Sequence, residues 1–301
     1  MAIERIAYRP WKGGFRGPLM RFWPIARLGI GLILKRKLFW LFLVISLFSF
    51  LFNSAIIYLI AQIQGQTGIR LPRDMRNLQT EFLFTGTGKA YREFISFQST
   101  VVMIFLAFAG GILVGNDFRR GAIPFYLSRP IGKIEYFLGK FLATAILTTF
   151  ITLVPAVVLF IEYGAFTESF AYYTENLRIL GAIVVYGALV SLVPAVLLLG
   201  VASLLQRTIA IVFAWVGLFV FVPAAVNIVR TICNRRGLGD YWVLGLADIW
   251  ANLRWISGVL FGIREEEYAE SWPLAALALA AACLIAIAVF WRRVSAVEVV
   301  R

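Results

Sequence analysis

The sequence predicts an all-α integral membrane protein with six transmembrane helices, an N-terminal amphipathic interfacial helix and a re-entrant or interfacial hairpin before the last span. Three observations carry that expectation. Of 301 residues, 61% are hydrophobic and the mean hydropathy is +0.84, which is more apolar surface than a soluble domain of this size can hide. Six windows, 38–69, 94–116, 141–161, 179–206, 208–229 and 271–291, contain no Asp, Glu, Lys or Arg, and the shortest has 21 residues. At about 1.5 Å rise per residue, each reaches across a hydrocarbon core about 30 Å thick. The charges, finally, are sorted by side. Residues 1–37, 117–140, the turn at Arg207 and 292–301 hold 18 Lys/Arg against Glu4, Asp117, Glu135 and Glu298, while the opposite side holds 11 against 12 acids.

Cytoplasmic loops of membrane proteins carry the excess of Lys and Arg. The expected placement is therefore multi-pass in the cytoplasmic (inner) membrane, with both termini in the cytoplasm. The net charge of +13 is then a topology signal, and nucleic acid is not an expected partner; membrane lipids are. The first apolar segment begins 37 residues in, is far longer than a signal-peptide core and has no A-x-A-like site after it, so it reads as an uncleaved anchor.

In chain order, 1–37 is a basic cytoplasmic lead-in ending in the amphipathic helix. Leu19, Phe22, Trp23, Ala26, Ile30, Ile33 and Leu34 recur at spacings of three and four, with Arg21, Arg27 and Lys35-Arg36-Lys37 among or after them. That pattern suits a helix lying in the interface. The transmembrane domain is 38–291, with spans at about 38–62, 94–115, 138–161, 179–205, 208–229 and 272–291, and 292–301 is a cytoplasmic tail. Arg70, Arg73 and Arg76 form either a basic stripe or an ordinary solvated turn in the first outer loop. Pro155, Pro194 and Pro223 each stand within a span, and each frees a carbonyl that needs another donor. Spans four and five, joined only through Gln206, Arg207 and Thr208, must be antiparallel neighbours. The alanines of span six favour close helix contact. Segment 241–263 is apolar and holds Trp242, Trp250 and Trp255, but Asp248 and Arg254 lie near its middle. Two charges at bilayer depth are costly, hence a re-entrant or interfacial segment on the outer side rather than a seventh span.

The sequence has no His and two Cys, Cys233 and Cys283, so imidazole zinc sites and His-based catalysis are excluded. With Cys283 inside span six, no intrachain disulfide is expected. The chain lacks G-x-x-x-x-G-K-S/T, and neither Gly86-Thr-Gly88-Lys89 nor Gly139-Lys140-Phe141 supplies the phosphate cradle and Mg²⁺-binding hydroxyl. No cofactor, metal or enzymatic activity is therefore expected of this chain itself.

The segment with functional content is the loop 117–137. Charged residues close span two, an apolar patch follows (Ile123, Phe125, Tyr126, Leu127), Ser128 is placed to cap the next helix and Pro130 to sit in its first turn. Such an apolar and basic element between two spans suits docking of a cytosolic partner. The run R-R-G-A-I-P-F-Y-L-S-R-P-I-G-K-I-E-Y-F-L-G-K-F-L-A resembles the loop of ABC-2-type transporter permeases, whose form is an acid, G-T-L, several apolar residues, L-S-x-P-I/V-S/T-R and a later G-K. Gly121, Leu127, Ser128, Pro130, Gly139 and Lys140 match. Arg120 stands where an acid is common, a role left to Asp117, and Gly132-Lys133 replaces the small-polar/Arg pair.

The resemblance implies an ABCG-like (type V) export fold. It also implies a coupling loop at 117–137 that receives force from a separate P-loop ATPase present in two copies, with ATP and Mg²⁺ bound there, and a second permease subunit, identical or related. The implied docking residues are Asp117, Arg119, Arg120, Gly121, Ile123, Phe125, Tyr126, Leu127, Ser128, Arg129, Pro130 and Lys133. A translocation path through the pair would draw on uncharged polar residues in or beside the spans, Asn53, Gln62, Gln98, Thr148 and Asn227, which serve equally well as interhelical hydrogen-bond partners. The function expected is the permease subunit of an ABC transporter working as an exporter. Its alternatives are an ABC-type scaffold passing ATPase work to an extracytoplasmic machine and an ATPase-independent transporter or channel.

Overall fold

The structure is a computed structural model that describes residues 20–67, 84–127, 131–166, 171–237, 241–263 and 269–299. Among the described residues every regular element is helical. The helices are α1 (Trp23–Leu34), α2 (Lys37–Thr67), α3 (Gly88–Arg119), α4 (Ile123–Leu127), α5 (Lys133–Phe166), α6 (Ala171–Glu175), α7 (Leu177–Leu205), α8 (Thr208–Arg235), α9 (Ile249–Phe261) and α10 (Trp272–Val299). Six of them, α2, α3, α5, α7, α8 and α10, are long and apolar enough to cross a bilayer. The protein is thus an all-α, six-span membrane protein. The basic stripe at 70–76 and the residues before 20 lie outside the described residues.

Several helices outrun their charge-free windows. Helix α3 starts at Gly88 and includes Lys89, Arg92 and Glu93 in its first turns. A helix keeps its backbone satisfied beyond the hydrocarbon edge, so charges mark where lipid ends and not where the helix ends. Helices α3 and α7 are the most enclosed spans, and α2, α8 and α10 stand at the rim. The rim helices leave Phe48, Phe52, Phe213, Phe221, Leu277 and Leu284 exposed, an outward apolar surface that only lipid or another apolar chain can cover.

Helix α1 packs along α5. Its buried residues are Ile25, Ala26, Gly29 and Ile33, whereas Trp23, Leu28, Leu32 and Leu34 are exposed. Ala26 and Ile33 of the face that the spacing suggested are thus buried, with Ile30 packed beside them, while Ile25 and Gly29 take the place of Trp23 and Leu34 because α5 meets the side of the helix with small residues. The contact is close. A Cβ on Gly139 of α5 would lie 2.6 Å from Ile25 Cβ and 2.9 Å from the Phe22 carbonyl oxygen, so only glycine lets the two backbones meet there.

Two of the three prolines stand where the helical ladder is relieved. Pro155 deprives the Ile151 carbonyl of its helical donor, and the Ser46 hydroxyl of α2 donates to that oxygen in a long bond of 3.5 Å. Pro223 opens the second part of α8 directly after a π-turn at Gly217–Phe221, where the helical ladder is already loosened. Spans four and six touch through Gly200, whose added Cβ would meet Ala286 Cβ at 2.8 Å. Of the alanines of α10, Ala275 and Ala286 are buried, while Ala280, Ala281 and Ala288 are exposed, so one stripe and not the whole surface makes the packing.

Segment 241–263 is two short helical pieces, a 3₁₀ turn at Trp242–Ala247 and α9. Asp248 lies between them as the N-cap of α9, its carboxylate accepting from the Trp250 backbone N–H at 2.8 Å. The charge that argued against a span is thus used to end one helix and start the next. Arg254 is exposed and Asp248 is buried.

Candidate functional site

The site is built at the end of the bundle where α3 hands the chain to α5. Helix α3 widens into a π-turn at Gly111–Gly115 and then closes with Asn116–Arg119. Gly121, at φ +63°, reverses the chain in a left-handed conformation that a side chain would oppose, and the Ala122 N–H donates to the Asp117 carbonyl oxygen at 2.9 Å. Helix α4 follows at once. Little slack separates the last turn of span two from the short helix of the loop.

Beneath that helix lies a buried charge. Lys140 of α5 is 1% exposed and its Nζ donates to Asp117 Oδ2 at 2.6 Å; the Tyr136 hydroxyl donates to the same oxygen at 3.0 Å. A buried ion pair offsets its desolvation only when further hydrogen bonds complete it, and Tyr136 supplies one. The ammonium also stands 5.9 and 5.7 Å from the ring centroids of Tyr126 and Tyr136, within reach of a cation–π attraction. Burial, and after it the Asp117 charge, pushes the Tyr126 phenol above its usual range, so that ring stays neutral beside the carboxylate.

Aromatic contacts extend the cluster to the last span. Tyr126 and Tyr136 have centroids 5.4 Å apart, and Tyr136 stacks on Phe290 of α10 at 6.0 Å. Phe118 and Phe137 meet Phe290 edge-on, and Lys133 Nζ donates to Ser295 Oγ at 3.0 Å. Four elements, α3, α4, α5 and α10, are therefore fastened at one point.

The implied docking residues divide. Arg119, Arg120 and Gly121 are exposed. Asp117 and Lys133 are engaged within the bundle as described. Ile123 is 1% exposed, which corrects its expected place on an open apolar surface: its side chain turns into the core and anchors α4. Tyr126 is half-buried. Phe125 and Leu127 contribute backbone to α4, and their side chains, with Ser128, Arg129 and Pro130, lie outside the described residues.

The five path candidates are not brought together. Asn53 donates to the Ser49 carbonyl of its own helix, and Gln62 and Asn227 are exposed. Gln98 and Thr148 are fully buried. Gln98 Nε2 donates to the Ser46 carbonyl oxygen of α2 at 3.1 Å, and Thr148 Oγ1 reaches the Ser191 carbonyl of α7 at 3.4 Å. These two cross-link helices. Thr152 and Ser191 add a hydroxyl pair at 2.9 Å. Among the described residues, Gln98 Oε1 is buried and has no hydrogen-bond partner.

Sequence reasoning missed Tyr136, Phe290 and Ser295 as parts of the site. Asp117 and Lys140 were both in view as motif positions, but their pairing was not. A lysine at the start of an otherwise charge-free span was the signal, since burial there demands a carboxylate partner. No protein-family model matches this chain, and no curated protein matches it either.

Proposed function

We propose that this chain is the permease subunit of an ABC transporter, working as an exporter in a pair of six-span subunits driven by two copies of a separate P-loop ATPase. ATP and Mg²⁺ belong to that partner; this chain performs no catalysis and receives work at 117–137. The observation that carries the reading is the cluster in which Tyr126 of α4 meets Tyr136 and Lys140, themselves joined to Asp117 of α3 and Phe290 of α10. A docking element held in this way passes a displacement to spans two, three and six together. The exposed Arg119 and Arg120 supply a cationic rim for an acidic ATPase groove, and the resemblance of the loop to coupling loops supplies the kind of partner. The exposed apolar faces of α2, α8 and α10 leave room for a second subunit.

The test is co-purification. The parent chain should retain a P-loop ATPase through mild detergent extraction. Phe125→Ala with Leu127→Ala should weaken that association by roughly 1–3 kcal/mol for each side chain, with insertion and subunit pairing unchanged. Charge reversal at Arg119 and Arg120 should weaken it most at low salt, as rim charges do. Equal ATPase recovery and equal coupled hydrolysis in the double-alanine variant would reduce the loop to an ordinary connector and remove the basis of the reading.

A further inference from the structure

On the opposite end of the bundle from α4, a groove of about 430 Å³ runs between α7, α9 and α10. That size falls in the roughly 300–1,000 Å³ range of small-ligand clefts. Its walls are Leu189 and Val193 of α7, Ile256 and Val259 of α9, and Ala276 and Cys283 of α10. Apart from the weakly polar thiol, nothing in this wall can hydrogen-bond, so water gains no partners there. An empty groove would forfeit the dispersion contacts of every wall atom. In a bilayer the species at hand to fill it is a hydrocarbon chain.

The rim of the groove has a different character. Trp272, the first residue of α10, lines its end and is 45% exposed, and indoles favour the boundary between hydrocarbon and water. Arg178, in the first turn of α7, is exposed and places its guanidinium against α9. One of its nitrogens donates to the carbonyl oxygen of Val259, itself a wall residue, at 3.2 Å, and a Cβ on Gly262 would lie 3.4 Å from the same nitrogen. A guanidinium carries five N–H donors and matches phosphate geometry. Cation at the rim, indole at the boundary, hydrocarbon beneath: this is the order of polarity along a phospholipid, read from phosphate to chain end.

We propose that this groove is a phospholipid site in the leaflet opposite α4, with one acyl chain between α7, α9 and α10 and the phosphate on Arg178. The small side chains of α10 make the room. Ala276 and Ala280 line the groove where leucines would fill it, while Leu277 and Leu284 on the same helix face outward. A lipid so held fills the groove between α9 and the spans beside it and ties that end of α7 to α9 through the head group.

Cys283 gives the reporter. In a Cys233→Ser background it is the remaining thiol, and its reaction rate with a membrane-permeant maleimide is followed on delipidated full-length protein in maltoside detergent. Added dioleoylphosphatidylglycerol should slow the reaction in a saturable way, and native mass spectrometry should show one retained molecule per chain. Arg178→Gln should weaken that binding about ten-fold, the scale of one lost charged hydrogen-bonding group. Ala276→Phe should abolish protection and retention, with Ala280→Leu as the milder second variant should the first fail to insert. Glycerol 3-phosphate, a head group without chains, should protect little. Equal protection by dioleoylphosphatidylcholine with no effect of Arg178→Gln would leave only nonspecific lipid contact and overturn the proposal. So would retention unchanged by filling the groove, or protection that needs no lipid and rises with protein concentration, which would assign the groove to a second copy of the chain.

Discussion

At the scale of single residues, the decisive fact is that Lys140 and Asp117 have no separate fate. Lys140 is 1% exposed and Asp117 16%, so removing one partner leaves the other charged and enclosed. Lys140→Met should therefore cost about 3–5 kcal/mol, read as loss of thermal stability in detergent. The double change Asp117→Leu with Lys140→Met should recover a large part of that loss, since an apolar pair of similar volume carries no desolvation cost. A double-mutant cycle by thermal unfolding measures the coupling; additive losses would mean the pair is not formed. Tyr136→Phe removes one hydrogen bond to Asp117 and keeps the stack on Phe290, so its effect should be smaller, about 1 kcal/mol.

At the scale of elements, α9 shows how a charge can organise an apolar segment. Asp248 caps the helix through the Trp250 N–H, and burial holds its carboxyl above the ordinary value near 3.8, against the lowering effects of backbone hydrogen bonds and Arg254. The folded protein thus binds this proton more tightly than the unfolded chain does. The contribution to stability is fully present below about 3.8 and is lost as pH rises through the elevated folded value, beyond which it is constant. Asp248→Asn keeps a capping oxygen and carries no charge, so it should flatten that part of the stability–pH curve and be at least as stable as the parent at neutral pH. Asp248→Ala should instead lose about 1 kcal/mol for the missing cap. Unfolding curves of the three proteins from acid to neutral pH decide the matter; an unchanged slope in the Asn variant would show that the carboxyl contributes nothing to it.

At the scale of the whole molecule, the alternation of six spans places α4 and the turn between α7 and α8 at one end, and α9 at the other. Arg120 and Arg236 are both exposed and stand at opposite ends of that alternation. Single cysteines at these positions, in a chain whose Cys233 and Cys283 are replaced, should react with an impermeant thiol reagent from opposite sides of the membrane. The excess of basic residues on the Arg120 side predicts that it is the cytoplasmic one. Reaction of both from outside would contradict the six-span arrangement.

The six spans were legible because hydrocarbon leaves a chain few choices. Twenty or so residues without charge must form a helix, since no other unpaired backbone is tolerated in lipid, and that constraint acts on each window independently of its neighbours. The charged ends and the tight turn at Gln206–Arg207 followed from equally local rules. What the sequence could not decide is which face of each helix meets which partner. The spans are apolar all round, so periodicity gives no direction; α1 turned Ile25 and Gly29 inward rather than Trp23 and Leu34, and Ile123 went into the core instead of the surface. The site depends on such choices. Asp117 and Lys140 are 23 positions apart and Phe290 lies far along the chain, so their meeting is fixed only when α3, α5 and α10 pack. Local rules determined that this protein crosses the membrane six times; close packing among those helices, which depends on shapes contributed by distant parts of the chain, alone decided what the short helix α4 rests on.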